Sequence, residues 1–227
     1  MRAIPHGTYS VVFGVVYLGF MTNVLLIVGC LPLIVLLFTT DPTYSWPLLA
    51  VALPLCAPAL AAAFTVFREN AKGDTGVIRL FLRGWREAWR RSLALGAFVA
   101  AALTVLLVDV RFFSEGQLGV VVIPVLAVLT VLSVSVGIVG LVALAEEPRA
   151  RLRDVVRASI YLLLRRWYLT AVSLAVLAAQ VALFTSLPAI ALGFTAAPAL
   201  YLVWANSRYT LRPVLDTELD VVDAAVA

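Results

Sequence analysis

From Trp167 to Trp204 the chain runs for 38 residues without a charged side chain. A helix rises about 1.5 Å per residue, so one straight helix here would be about 57 Å long, against roughly 30 Å for a hydrocarbon core. Two crossings of about 19 residues each fit the stretch. The break is expected at Ser186-Leu187-Pro188, because proline disfavours helical geometry in the residue before it.

The composition agrees. Hydrophobic residues make up 63% of the 227 and charged residues only 13%, with a mean hydropathy of +1.04. A soluble domain carries about 25% charged residues. A soluble enzyme, a nucleic-acid-binding module and a disordered chain are thereby excluded. The expected class is all-α: a polytopic membrane protein with six transmembrane helices and two basic amphipathic helices in its cytoplasmic loops. The spans fall at about residues 9–38, 46–67, 92–108, 118–145, 167–186 and 188–205. The first is longer than a bilayer needs. Either its N-terminal part lies at the interface, or the helix tilts or kinks near Gly29 and Pro32. It also exceeds the roughly 7–15-residue core of a signal peptide, so it reads as a retained helix. Residues 213–227 form an acidic tail (Asp216, Glu218, Asp220, Asp223), expected to be disordered.

Charge asymmetry orients this drawing. The loop from Arg68 to Arg91 holds seven basic residues and the loop from Glu146 to Arg166 six. With Arg2, Arg208 and Arg212, 16 of the 17 basic residues fall on one side, leaving Arg111 on the other. By the positive-inside rule both termini are expected to be cytoplasmic. The net charge of +4 therefore reads as topology rather than as nucleic-acid binding.

Both basic loops carry a helical pattern. From an expected N-cap at Asp74, Val77, Phe81, Trp85, Trp89 and Ser92 recur on one face, and Arg79, Arg83, Arg86 and Arg90 on another. In the second loop Pro148 is placed for a first turn. Leu152, Val156, Ile160 and Leu163 line one face there, and Arg149, Arg153 and Arg157 another. Both helices are expected on the inner leaflet, with arginines reaching anionic lipid phosphates, or else docked on a membrane or cytoplasmic partner.

Chemistry-bearing groups are sparse. No Asp, Glu, Lys, Arg or His lies near the middle of any span, where proton and ion paths place them. There is no glycine-rich phosphate loop, and no histidine serves a Ser or Cys nucleophile. His6, Cys30 and Cys56 form neither a metal cluster nor a disulfide framework. No catalytic residue, cofactor or metal is expected. The intramembrane polar candidates are Asn23 and Gln180, which either bond to another helix or line a path. Gly14, Gly19 and Gly29 are expected to let helices approach. Ala57-Pro58-Ala59-Leu60 recurs as Ala197-Pro198-Ala199-Leu200, each followed by an aromatic (Phe64, Trp204) and an arginine (Arg68, Arg208).

Tyr17, Leu18 and Asn23, then Leu31-Pro32, Ala57-Pro58-Ala59-Leu60, Phe64, Arg68, Phe81, Trp85 and Trp89-Arg90-Arg91-Ser92 resemble the YesL-like family of bacterial integral membrane proteins. The resemblance covers about residues 9–96. The family is a domain of unknown function, often found beside sugar-importer and glycoside-degradation genes. It implies an association with carbohydrate uptake and no reaction. The reading is a non-enzymatic membrane protein that assists or regulates an ABC-type sugar importer, with its permease or ATPase subunits as partners. The alternative is a subunit that itself lines a transport path. A lipid-directed enzyme would need an interfacial carboxylate, histidine or metal cluster.

Overall fold

The computed structural model describes residues 6–114, 116, 118–147, 152–165 and 167–209, all of them in helices or short connections. The helices are α1 (His6–Gly29), α2 (Leu31–Thr39), α3 (Pro42–Asn70), α4 (Val77–Phe113), α5 (Gly119–Glu146), α6 (Leu152–Arg165), α7 (Trp167–Ser186) and α8 (Pro188–Tyr209). Five of them are long and apolar enough to cross a membrane, and α1 and α2 make a sixth if counted as one broken span. Phe13, Phe98, Phe112, Val120, Val121 and Phe194 point outward among many other large apolar side chains. This is the pattern of a multi-pass membrane protein.

The first apolar stretch is broken. α1 and α2 meet at 71° around Gly29 and Cys30. Pro32 opens α2, where the first turn needs no N–H from it. At the opposite end of the chain, α7 stops at Ser186 and α8 starts on Pro188.

α3 is the centre of the bundle. Ala59, Ala61, Ala62, Ala63 and Val66 are sealed completely, and Phe64 and Phe67 nearly so. Within lipid, helices associate by close van der Waals contact, and small residues permit it. α4 lies antiparallel to α3 with the widest helix–helix contact in the molecule. The turn between them uses Gly73 at φ +98°, a conformation that a side chain would strain. A Cβ on Gly84 would stand 2.7 Å from Thr65 Cβ, and one on Gly96 would stand 2.7 Å from Ala57 Cβ and 3.2 Å from the Pro54 backbone. The glycines that let these helices touch are therefore in α4. Gly14 and Gly19 have nothing within 4 Å, which corrects the expectation for them. Gly29 does make a close approach, to Trp85 and Ala59.

The first basic segment also needs correction. It is not a separate surface helix, because it and the third apolar stretch form one 37-residue helix about 55 Å long. Its apolar face (Val77, Leu80, Phe81, Ala88) is buried in the bundle rather than laid on a leaflet. The helix starts two residues later than expected. Gly76 is the N-cap, and the Asp74 carboxylate accepts from the Gly76 N–H at 3.1 Å.

α6 is a helix of 14 residues. Among its described side chains Val155 and Ser159 are buried, and Val156 packs partly against the core. Ile160 is exposed. Arg149, Pro148 and the acidic tail lie outside the described residues.

Candidate functional site

Two polar clusters among the described residues hold the side chains singled out above: a knot at the arginine-rich ends of the helices, and a repair inside α8.

The knot ties three helices. The Arg68 guanidinium, at the end of α3, donates to the carbonyls of Ala145 and Glu146 (2.8 Å to the latter). These are last-turn carbonyls of α5, which have no partner within their own helix. From α8, the Trp204 Nε1–H donates to the Glu146 carboxylate at 3.0 Å, and Arg208 approaches that carboxylate at 3.8 Å while lying over the Trp204 ring. The two arginines of the repeated Ala-Pro-Ala-Leu segments therefore converge on one residue. Sequence reading missed this role of Arg68 and Glu146, although the shared spacing of Arg68 from Phe64 and of Arg208 from Trp204 was a signal for the two arginines.

Glu69 extends the knot. It pairs with Arg68 at 2.9 Å and Lys72 at 3.3 Å, with Arg83 at 3.7 Å. Burial pushes its carboxyl up, but Lys72 and Arg68 outweigh that and hold it below the ordinary range. The Asp74 carboxyl is held low by the Gly76 N–H and by Arg79, whose guanidinium is 2.8 Å away.

Beside the knot, α4 opens a groove of about 800 Å³ lined by Arg68, Arg83, Arg86, Glu87, Trp89, Arg90, Arg91 and Glu147. Five arginines thus face two carboxylates. Among the described residues, no carboxylate lies within 4 Å of Arg86 or Arg90. Trp89 is half exposed at the rim and stacks on Trp85, which wedges against the α1–α2 bend. Arg153 and Arg157 are exposed on α6, well separated in sequence from this groove.

The second place answers for Asn23 and Gln180. Residues Ala191–Thr195 of α8 form a π-helical turn, which interrupts the ordinary hydrogen-bond ladder. Asn23, fully buried in α1, donates to the Gly193 carbonyl at 2.9 Å and accepts from the Ala197 N–H at 2.7 Å. Gln180 of α7 donates to the Ala191 carbonyl at 2.9 Å and accepts from the Thr195 hydroxyl at 2.9 Å. Both amides are therefore engaged by one segment. Among the described residues, no group of three His, Cys, Asp or Glu is placed to hold a metal ion.

Residues 11–110 match the family model described as "Protein of unknown function, DUF624". Over that stretch, which is less than half of the chain, the sequence is similar to the DUF624 family. The "Uncharacterized protein YesL" of Bacillus subtilis (strain 168) is 43% identical over 60 residues, which cover 26% of this chain and 29% of YesL. The chain thus aligns with under a third of that relative's length. No solved structure matches it. The DUF624 stretch contains Asn23, Arg68 and the groove arginines of α4, whereas Gln180 and α6 lie beyond it.

Proposed function

We propose that this chain is a non-enzymatic subunit of the bacterial plasma membrane, with both ends cytoplasmic, that assists or regulates a solute importer. The resemblance to YesL-like proteins favours an ABC-type carbohydrate system. The observation that carries the reading is the outward face of α6, where Arg153, Arg157, Ile160 and Tyr161 are all exposed. Cationic and aromatic groups together on one short helix suit an acidic, partly apolar surface on a permease or ATPase subunit.

The alternative, a subunit that lines the path itself, would need intramembrane polar groups free to meet a solute. Asn23 and Gln180 are occupied by the α8 backbone, which favours the accessory role.

The test is copurification. Tagged full-length protein, extracted from native membranes in mild detergent, should bring down a permease or ATPase subunit, and the R153Q/R157Q/Y161A variant should lose it. If the wild type captures no importer subunit, the accessory role fails.

A further inference from the structure

One face of α4 stays open along nearly its whole length. Arg79, Arg83, Arg86, Arg90, Ala94, Ala97, Ala101 and Val105 follow one another at steps of three and four, and all eight are exposed. Positions at that spacing share a helix face. Past Ser92 only Leu95 and Ala100 of α4 are buried, so its apolar half looks outward. The face changes character between Arg90 and Ala94, from guanidinium to methyl, within one turn. At that boundary lies the 800 Å³ groove, with Trp89 at its rim. Arg79 and Arg83 have acidic neighbours in Asp74 and Glu69, whereas Arg86 and Arg90 have none within 4 Å among the described residues. Glu87 and Glu147 also line the groove, leaving it net positive.

We propose that this groove is a binding site for one anionic phospholipid, its phosphate held by Arg86 and Arg90 and an acyl chain lying along Ala94, Ala97, Ala101 and Val105. A guanidinium presents a planar set of donors that matches phosphate oxygens, and an unpaired one at a membrane boundary has no protein acceptor to release. A tryptophan at the same level is the side chain that prefers the headgroup region. The small alanine side chains leave a shallow track beneath the charge, so the ligand must be anionic at one end and oily at the other. A soluble phosphate satisfies only the first condition, and a zwitterionic lipid brings a cation that the groove repels. This site is independent of α6 and of the importer reading.

Full-length protein in nanodiscs tests it, with the preference for phosphatidylglycerol over phosphatidylcholine measured by native mass spectrometry of retained lipid. Each basic residue near an anionic surface is worth roughly a factor of five, so R86Q/R90Q should lower the preference by about 10–30-fold. R86K/R90K, which keeps the charge without the planar fork, should recover only part of it. R153Q/R157Q removes the same charge from α6 and should leave the preference intact. A97W blocks the track while keeping every arginine, and should also weaken retention. The proposal is overturned if both Arg-to-Gln pairs lower the preference equally, which is diffuse surface charge. It is overturned too if A97W has no effect and inorganic phosphate displaces the lipid completely, which is a free-anion site.

Discussion

The Asn23 side chain stands in the place of one rung of the α8 ladder. In an α-helix the Ala197 N–H would donate to the Gly193 carbonyl. Here the N–H donates to Asn23 Oδ1 and the carbonyl accepts from Asn23 Nδ2, so one amide serves both halves of the missing bond. α1 and α8 are thereby fastened at this point by two hydrogen bonds from one side chain.

Removing this amide should loosen the bundle. Asn23→Ala strands a buried donor and a buried acceptor, at about 1–3 kcal/mol by the cost of unsatisfied groups. Asn23→Asp keeps the acceptor and loses the donor, and should be at least as harmful because it buries a charge. The neighbouring Thr22 is equally buried, but its hydroxyl has no hydrogen-bond partner among the described residues, so Thr22→Val should be neutral or stabilising. Thermal unfolding in detergent separates them. Equal loss in Thr22→Val and Asn23→Ala would mean that packing volume, not the amide, is what matters.

The α3–α4 contact makes a prediction opposite in sign to helix propensity. Alanine is ordinarily favoured over glycine inside a helix by about 0.5–1 kcal/mol. At Gly14 and Gly19, where a methyl meets open space, Gly→Ala should be neutral to stabilising by that amount. At Gly96 the methyl would run into Ala57 and the Pro54 backbone, so G96A should destabilise by about 1–3 kcal/mol. G84A should cost a similar amount, since Thr65 Cβ, 2.7 Å away, is fixed to its own backbone. The ranking of midpoints in one denaturation series checks all four.

What the residues disclosed in advance, and what they did not, divides along local and non-local physics. Pro188 marks the α7–α8 break because its ring acts on its own backbone. The charge-free length before α6 likewise gives α5. The continuity of α4 was illegible for a different reason. Arginines at 79, 83, 86 and 90 end a hydropathy window, but guanidinium side chains are good helix formers, so nothing stops the helix there. The π turn in α8 depends on amides from α1 and α7, which no window around Gly193 contains. Whether a glycine faces a neighbour depends on helix rotation, and α1 turns Gly14 and Gly19 outward. The basic face of α4 was visible as periodicity, while the lack of a carboxylate beside Arg86 and Arg90 among the described residues required knowing where Asp74 and Glu69 point.

Arg68 should behave as a connector rather than a surface charge. Its side chain is only 11% exposed and it satisfies carbonyls of α5 from α3. Arg68→Ala should cost about 1.5–3 kcal/mol, the range for hydrogen bonds to charged groups. Arg68→Lys keeps the charge but cannot span two carbonyls and Glu69 with one fork, and should lose more than half of that. Hydrogen exchange of the Glu147 N–H, which bonds the Ala143 carbonyl, should quicken in both variants as the end of α5 frays. Unchanged exchange would place the stabilisation elsewhere.

Glu69 gives the pH dependence its sign. Its carboxyl titrates below the ordinary glutamate range because Lys72 and Arg68 outweigh its burial. The unfolded chain has a value of about 4.3. A group whose pKa is depressed on folding contributes stability that is complete above the unfolded value and disappears as pH falls through the folded one. Wild type should therefore exceed Glu69→Gln by a constant margin, about 1 kcal/mol, from pH 7 down to about pH 5. The margin should shrink below about pH 4 and close at lower pH. Asp74, also depressed, titrates in the same window, but it is present in both proteins and cancels in the difference. Melting temperatures of the pair across pH 3–7 measure the margin directly. A gap that widens on acidification would reverse the sign and remove Glu69 from the ion-pair knot.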